Sequence, residues 1–327
     1  MVFAGSVLMQ KQFPHKENCM KKGIMLAIVL AGMLLVAVTA CQRQEQKAGK
    51  AKQLNVVTTL FPLYDFTKNI AGDTVSVTLL LPPGVEAHSF EPKAGDMLRV
   101  NGADLFIFTG KFMEPWADGL LKGVDNKGLL VVDTSTGITL MEEKEDHHDH
   151  GKIDPHLWLD FAIAQKIVDN ILAALITRDP AGKDMYTQNA EAYKAKLVDL
   201  DRRYKETFLT CKKNIFIHGG HFAFNYLAKR YNLVYISAYH GSPDAEPTPK
   251  RLITLKKKMQ ENNIKYVYYE ELIAPRVAEV LAKETGATLL KLHGAHNISK
   301  EEFEKGVSFL SLMEGNLKNL KAGLECQ

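Results

Sequence analysis

Histidines stand in this sequence where apolar, strand-like runs give way to loops or to the starts of helices. Six of them share that placement: His88, His156, His218, His221, His293 and His296. A single histidine at such a point is commonly a helix cap or a hydrogen-bonded core side chain. Four such locations, two in each half of the chain, favour imidazoles gathered around a borderline-soft divalent cation, above all Zn²⁺. Sequence spacing alone leaves open whether they converge.

A second histidine-rich feature precedes His156. Residues 142–150 read Glu-Glu-Lys-Glu-Asp-His-His-Asp-His, so that His147, His148 and His150 are interspersed with acids. Tracts of this composition bind metal weakly. We interpret the segment as an auxiliary metal-collecting loop. The alternative is a solvated acidic loop in which the histidines occur by chance.

Strand-like runs alternate with helical segments through both halves of the chain. The expected strands are 54–60, 74–81, 105–108, 129–132, 214–217, 233–237, 266–269 and 288–292. The expected helices are 62–71, 94–102, 112–122, 222–230, 249–262, 275–285 and 300–322. This alternation predicts an α/β fold with parallel sheets. In such sheets, binding sites lie at the carboxyl ends of the strands, where the histidines stand.

Residues 183–208 predict one long helix between the two halves. Apolar side chains recur there at intervals of three and four: Ala190, Tyr193, Leu197, Leu200, Tyr204 and Phe208. That spacing places them in one stripe, and about 25 residues at 1.5 Å each span nearly 40 Å. We expect a rod that joins an N-terminal lobe, 53–182, to a C-terminal lobe, 209–327. The alternative is a surface helix of one lobe.

The N-terminus is predicted to export the protein. Lys21 and Lys22 precede an apolar stretch of 16 residues, 23–38. The stretch is short for a membrane span and typical of a signal peptide. We therefore predict a signal peptide over 1–40, with Met20 as the natural start of translation.

The end of that stretch is predicted to anchor the protein to a membrane. It reads Val38-Thr39-Ala40-Cys41, which resembles the lipobox of bacterial lipoproteins, in which the cysteine becomes the acylated first residue. Residues 41–52 are polar and aperiodic and predict a flexible tether. The alternative is an ordinary signal peptide cleaved near Ala40, with Cys41 incidental.

Charge and cysteine usage support this placement. The formal net charge of +3 lies entirely in residues 1–40, and the remaining 287 residues carry 37 basic and 37 acidic side chains. A neutral body argues against nucleic acid as a partner. Cys211 and Cys326 remain for the body of the protein, and in an oxidising compartment we expect them to form a disulfide. The alternative is two buried free thiols.

Several motifs together resemble the metal-specific solute-binding lipoproteins of bacterial ATP-driven zinc and manganese importers. The resemblance covers residues 56–324 and rests on Phe61-Pro-Leu-Tyr64, Leu81-Pro-Pro-Gly84 with His88 and Glu91-Pro92, Asn101-Gly-Ala-Asp104, Asp154-Pro-His-Leu-Trp-Leu-Asp160, His221-Phe-Ala-Phe224 with Arg230-Tyr231, and Glu284-Thr-Gly286. It implies two α/β lobes joined by a long backbone helix, with metal bound in the cleft between them. It also implies a membrane permease and its ATPase as partners.

The resemblance implies three metal ligands directly: His88, His156 and His221. Zinc-type members have histidine at the third position, whereas manganese-type members often have glutamate. His221 and the loop 142–150 therefore favour Zn²⁺ over Mn²⁺. Carboxylates that would support the imidazoles are Glu86, Glu91, Asp160, Glu270 and Glu271.

The fourth ligand is where this sequence departs from the family pattern. Many members place aspartate in the loop before the last helix, and here that loop reads His293-Gly-Ala-His296-Asn297. His296 or Asn297 falls near the aspartate position. We predict His296 as the ligand, with His293, Glu86 and water as competitors. His218 and His240 are expected beside the site or on the surface.

These observations predict a monomeric, exported, lipid-anchored protein at the periplasmic or extracellular face of a membrane. It would capture Zn²⁺ and deliver it to a permease. The alternatives are a manganese-type binding protein, a zinc hydrolase, or an adhesin with a structural metal. A hydrolase needs an open water position and a general base, and the sequence contains neither HExxH nor GxSxG. We therefore expect no enzymatic activity.

Overall fold

The computed structural model describes residues 53–142, 153–239 and 247–327. Three predictions fall outside this part of the chain: the signal peptide with Cys41 and its tether, the histidines of the acidic loop, and the position of His240. Among the described helices, none combines the length and apolarity that crossing a bilayer requires.

The first sheet has four parallel strands. They are β1 (Leu54–Thr58), β2 (Val75–Leu79), β3 (Leu105–Phe108) and β4 (Leu130–Asp133), in the spatial order β2-β1-β3-β4. The helices that accompany it are α1 (Phe61–Ala71), α2 (Ala94–Asn101) and α3 (Ala117–Lys122). Because parallel strands need crossover connections, helices cover the faces of this sheet.

The second sheet repeats this topology. Its parallel strands are β5 (Ile215–His218), β6 (Val234–Ser237), β7 (Tyr266–Tyr269) and β8 (Thr288–Lys291), in the order β6-β5-β7-β8. Its helices are α6 (Asn225–Arg230), α7 (Pro249–Glu261), α8 (Arg276–Thr285), α9 (Lys300–Glu304) and α10 (Phe309–Gly323). Two parallel sheets flanked by helices confirm the predicted two-lobe α/β fold class.

The expected helix over 300–322 is two helices. Gly306 has φ +66°, a left-handed conformation that glycine adopts at no steric cost and that ends α9. Ser308 then caps the start of α10 by accepting a hydrogen bond from the backbone N–H of Ser311 at 3.2 Å.

Two helices lie between the sheets in the sequence. They are α4 (Phe161–Arg178) and α5 (Lys183–Phe208), the latter with the predicted bounds. On α5 the hydroxyl of Tyr193 donates to Asp65 on α1 at 2.9 Å, and the hydroxyl of Tyr204 donates to the carbonyl of Met313 on α10 at 2.6 Å. The helix therefore binds an element of each lobe.

The core follows from the alternation of side chains along the strands. On β3, Leu105 and Ile107 face an inner core that also contains Phe216 of β5 and the buried stripe of α5. Phe106 and Phe108 face an outer core that packs against α2 and α3. The inner core is thus shared by both sheets, and each sheet has an outer core of its own.

Two further links connect distant segments. A disulfide joins Cys211, which precedes β5, to Cys326, which follows α10. Arg230 at the end of α6 forms ion pairs with Asp160 at 2.7 Å and with Asp201 on α5 at 2.6 Å. Asp160 also caps α4, because its carboxylate accepts from the backbone N–H of Ala162 at 2.8 Å.

Candidate metal centre

Four imidazoles meet between the carboxyl ends of the two sheets. The Nε2 atom of His156 lies 3.2 Å from Nε2 of His88 and 3.2 Å from Nε2 of His221. Side-chain nitrogens of His88, His221 and His296 all lie within 4.8 Å of one another. The ring of His296 is 5.8 Å from that of His156, centroid to centroid. Nitrogen atoms this close surround a point that one cation can occupy.

The loops that carry these rings come from both halves of the chain. His88 follows β2, and His156 begins the short 3₁₀ turn Leu157–Leu159 ahead of α4. His221 follows β5, and His296 lies between β8 and α9. Three of the rings are buried and His88 is half-buried, so the cluster is reached from the side of His88.

Close packing fixes the loop of His296. A Cβ atom on Gly294 would lie 2.5 Å from Cε1 of His296, which leaves room for glycine alone. Ala295 takes a left-handed conformation, with φ +63°. The indole Nε1 of Trp158 donates to the carbonyl of Gly294 at 2.7 Å. This hydrogen bond holds the loop against Trp158, a residue of the first lobe.

Asp154 orients the ring of His156. Its Oδ1 atom lies 2.8 Å from Nδ1 of His156 and accepts from the backbone N–H of His156 at 3.0 Å. A proton on Nδ1 that donates to Asp154 leaves the lone pair of Nε2 directed at the cluster. Burial, together with the neighbouring imidazoles, lowers the pKa of His156 well below its ordinary value. The ring is therefore neutral and able to bind a cation.

Glu270 has the same role toward His221. Its Oε2 atom is hydrogen-bonded to Nδ1 of His221, and its Oε1 atom accepts from the backbone N–H of His221 at 2.9 Å. Burial opposes protonation of this imidazole, but the charge and hydrogen bond of Glu270 outweigh burial and raise the pKa of His221. The charge of Glu270 thus favours a positive charge at His221, whether a proton or a bound cation supplies it.

Glu271 supports the loop of His296 by binding the backbone of that loop. Its carboxylate accepts from the N–H of Gly294 at 2.8 Å and of Ala295 at 3.2 Å. Its Oε1 atom lies 3.5 Å from Nδ1 of His296, too far for a good hydrogen bond. Burial and the adjacent His221 outweigh Glu271 and lower the pKa of His296.

His293 is not part of the cluster of rings. Its backbone is bonded twice to the side chain of Asn316, and its Nδ1 atom lies 3.2 Å from Oε1 of Glu271. Burial opposes protonation of His293, but Glu271 and Glu302 raise its pKa. Of the two histidines in the loop, the structure therefore brings only His296 to the other three rings.

Glu86 and Asn297 occupy different positions from His296. Glu86 caps the turn that contains His88, since its Oε2 atom accepts from the backbone N–H of Ser89 at 2.8 Å. Its Oε1 atom is buried without a hydrogen-bond partner among the described residues. The amide of Asn297 points away from the cluster and donates to the carbonyls of Pro82 and Val85.

Comparison with known proteins identifies the family of this chain. The sequence model of a family described as "ZnuA: Zinc-uptake complex component A periplasmic" matches residues 56–323. The chain belongs to this family. The match confirms the family resemblance stated from the motifs.

Two curated relatives illustrate the similarity to the ZnuA family. The chain is 40% identical over 316 residues to the high-affinity zinc uptake system protein ZnuA of Bacillus subtilis, covering 93% of this chain and 98% of that protein. It is 37% identical over 305 residues to the zinc-binding lipoprotein AdcA of Streptococcus pneumoniae, covering 90% of this chain and 60% of AdcA. The chain therefore corresponds to part of AdcA and to nearly all of the Bacillus protein.

Solved structures agree with the fold of the ZnuA family. The metal-dependent lipoprotein YcdH of Bacillus subtilis superposes with a TM-score of 0.73 at 40% identity, covering 83% of this chain and 99% of that one. The Zn(II)-bound ZnuA-like domain of Streptococcus pneumoniae AdcA superposes with a TM-score of 0.72 at 36% identity, covering 84% and 99%.

Sequence reasoning missed Asp154 and misassigned two other carboxylates. Glu91 is exposed, and Asp160 pairs with Arg230 and caps α4. The order Asp-Pro-His contained the signal for Asp154, because a carboxylate two residues ahead can reach both the backbone N–H and Nδ1 of a histidine.

His218 proves to be a core residue. Its ring packs edge-on against Phe224 with centroids 5.0 Å apart, and its Nδ1 atom lies 3.2 Å from the carbonyl of His221. Burial lowers the pKa of His218 to about 4. It therefore supports the loop of His221 as a neutral ring and lies behind the cluster.

Proposed function

We propose that this protein captures Zn²⁺ outside the cytoplasm and delivers it to a membrane importer. The observation that carries the proposal is the convergence of four imidazoles, two from each half of the chain, on one point. Membership of the ZnuA family supports delivery to a permease driven by an ATPase.

The ligands in this proposal are His88, His156, His221 and His296. A closed tetrahedral set of four imidazoles matches the geometry and donor type that Zn²⁺ prefers. Manganese prefers carboxylate, carbonyl and water oxygens, and none of the four converging rings supplies an oxygen. The same set speaks against a manganese-type protein.

Charge compensation in this site comes from carboxylates behind the rings. Four neutral imidazoles leave the +2 charge of Zn²⁺ uncompensated. Asp154, Glu270 and Glu271 are buried. Asp154 and Glu270 are hydrogen-bonded to ring nitrogens of two ligands. Glu271 is hydrogen-bonded to the backbone of a ligand loop. Such partners orient metal-bound histidines and strengthen their binding.

The alternative functions receive less support. A zinc hydrolase needs a position that water occupies and a general base, whereas His296 fills the fourth position in this proposal. Glu86, the convenient base, caps its own turn. An adhesin with a purely structural ion would not need the acidic histidine loop that the sequence carries ahead of His156.

The location in this proposal is the outer face of a cytoplasmic membrane. A signal peptide ends at Ala40, and the acyl chains of Cys41 hold the protein near the permease. Residues 41–52 act as the tether that lets the two lobes reach their partner.

The test is isothermal titration of the metal-free protein with Zn²⁺ and with Mn²⁺. One tight Zn²⁺ site and weaker Mn²⁺ binding are expected. Alanine at position 88, 156 or 221 should weaken Zn²⁺ binding at least about tenfold, since each removes one of four ligands. His296→Ala should cost less if water takes its place.

A matched control is His293→Ala, which removes a buried histidine of the same loop from outside the cluster. It should leave the number of zinc sites unchanged. The proposal fails if His221→Ala binds Zn²⁺ as the wild type does. A metal-bound structure in which one lobe alone holds the ion would also overturn it.

A further inference from the structure

The loop of His296 belongs to the second lobe by sequence but is bonded to both lobes. Its backbone N–H groups at Gly294 and Ala295 donate to Glu271 of the second lobe. Its backbone carbonyls accept hydrogen bonds from the first lobe. The carbonyl of His296 accepts from the N–H of Phe61 at 3.2 Å, and that of Ile298 accepts from the N–H of Gly84 at 2.8 Å.

Asn297 is the side chain that completes this arrangement. It is fully buried, and both hydrogens of its amide are used. Nδ2 donates to the carbonyl of Pro82 at 2.8 Å and to the carbonyl of Val85 at 2.8 Å. Those two carbonyls belong to one turn, which the N–H of Val85 closes onto Pro82 at 3.1 Å.

The turn that Asn297 holds leads directly into the first histidine of the cluster. Val85 lies three residues before His88, and Asn297 follows His296. Together with the backbone bond from Gly84 to Ile298, this amide therefore fixes the distance between two loops that are more than 200 residues apart in the sequence. The amide offers two donors from one nitrogen without a charge, whereas a carboxylate of the same size would place oxygen against both carbonyls.

We propose that Asn297 is a positioning residue for metal binding, which acts by holding His88 at the correct distance from His296. This proposal rests on the proposed zinc site. Asn297 touches no metal in it, and its whole effect on affinity passes through His88. The half-buried position of His88, the most accessible of the four rings, makes it the ligand that most needs such support.

The first measurement is the Zn²⁺ affinity of Asn297→Asp, by competition with a chelator of known affinity. We expect a loss of about tenfold, as for other residues that orient a metal ligand. The matched control is Asn316→Asp. Asn316 is also a buried asparagine bonded to this loop, at the backbone of His293, but its bonds stay within the second lobe. It should lose less than about threefold.

A double-mutant cycle with His88→Ala separates positioning from a general loss of structure. In the His88→Ala background, Asn297→Asp should change the Zn²⁺ affinity by less than about twofold, because its effect passes through the missing ring. The effect of Asn316→Asp should be the same in both backgrounds. Circular dichroism of each metal-free variant verifies the fold, and Asn297→Ala, which lacks the added charge, replaces Asn297→Asp if the latter does not fold.

Two outcomes overturn the proposal alone: wild-type affinity in Asn297→Asp, or a tenfold loss from this change that persists in the His88→Ala background. Wild-type protein that binds no Zn²⁺ would overturn the proposed function, and this proposal with it.

Discussion

His221 and Glu270 are bonded to each other at two points. One carboxylate oxygen accepts from the backbone N–H of His221 at 2.9 Å, and the other is bonded to Nδ1 of its ring. Both side chains are almost completely buried. Burial alone would raise the pKa of Glu270, but His221 outweighs it and lowers that pKa. The carboxylate thus remains charged beside the ring and fixes both the position of His221 and its tautomer.

Glu270→Gln tests this relationship. The amide keeps the size of the side chain but removes the negative charge that compensates a cation bound at Nε2. We expect Zn²⁺ affinity to fall by about 10- to 100-fold, as is usual for partners of metal-bound histidines. A titration against a competing chelator measures this change.

The matched control is Glu279→Gln, the same substitution at an exposed position of α8. It should leave the affinity unchanged. Equal affinities for the wild type and Glu270→Gln would contradict the assigned role of Glu270.

The affinity for Zn²⁺ should decline as the pH falls. Zinc needs neutral imidazoles, so protons compete with it. Glu270 raises the pKa of His221 against the effect of burial, whereas burial lowers the pKa of His156 and of His296. Competition should therefore begin at His221, above the ordinary imidazole pKa of about 6.5.

Affinities measured from about pH 8 to about pH 5 test this order of protonation. In Glu270→Gln the onset of the decline should move to lower pH, because the charge that raises the pKa of His221 is gone. Affinity that stays constant across this range in the wild type would contradict imidazole ligation.

Much of the fold could be predicted because periodicity reports local structure. The stripe on α5 gave its bounds, Lys183–Phe208, and every strand of the sheets lies within two residues of a predicted run. The break between α9 and α10 was missed because an apolar period continues across Gly306, whose left-handed φ is a property of one residue.

The site itself was harder to predict because its geometry depends on contacts between distant segments. Nothing local distinguishes His296 from Asn297 as the residue that faces the cluster. The difference depends on the positions of Pro82 and Val85, because their carbonyls accept hydrogen bonds from the amide of Asn297. Glu271 likewise contacts a loop that follows the next strand of its sheet, and spacing does not reveal that approach.

Removal of the disulfide should affect stability and leave metal binding intact. Cys211 and Cys326 are 115 residues apart, and a disulfide that closes so long a loop typically contributes about 2 to 5 kcal/mol. The double variant Cys211→Ser with Cys326→Ser should therefore unfold at lower denaturant concentration. Its Zn²⁺ affinity should equal that of the wild type, because neither cysteine contacts the cluster. Unchanged stability would indicate that the bond does not form in the cell.

Cys41→Ser tests the lipid anchor predicted from Val38-Thr39-Ala40-Cys41. Without a thiol no acyl chain can be attached, so the variant should appear in the soluble fraction or remain unprocessed. Metabolic labelling with a fatty-acid probe, followed by fractionation, measures both outcomes. Ser89→Ala, a change at an exposed position of the body, is the control and should be labelled as the wild type is. A Cys41→Ser protein that still takes up the probe would refute the assignment.

Deletion of residues 142–150 tests whether the acidic histidine loop contributes to the proposed site. The backbone N–H of Asp154 donates to the carbonyl of Met141 at 2.9 Å, so the residues that flank this segment lie side by side and a short linker can join them. The four converging rings are supported by Asp154, Glu270 and Glu271, and none of these belongs to the deleted segment. The variant should therefore keep one tight Zn²⁺ site and lose only weak additional binding.

Isothermal titration distinguishes tight from weak binding by stoichiometry. The matched control keeps the loop length and replaces its histidines, His147, His148 and His150, by asparagine. If either change abolished the tight site, the ligands would have to include the loop and the assignment of His296 would be wrong.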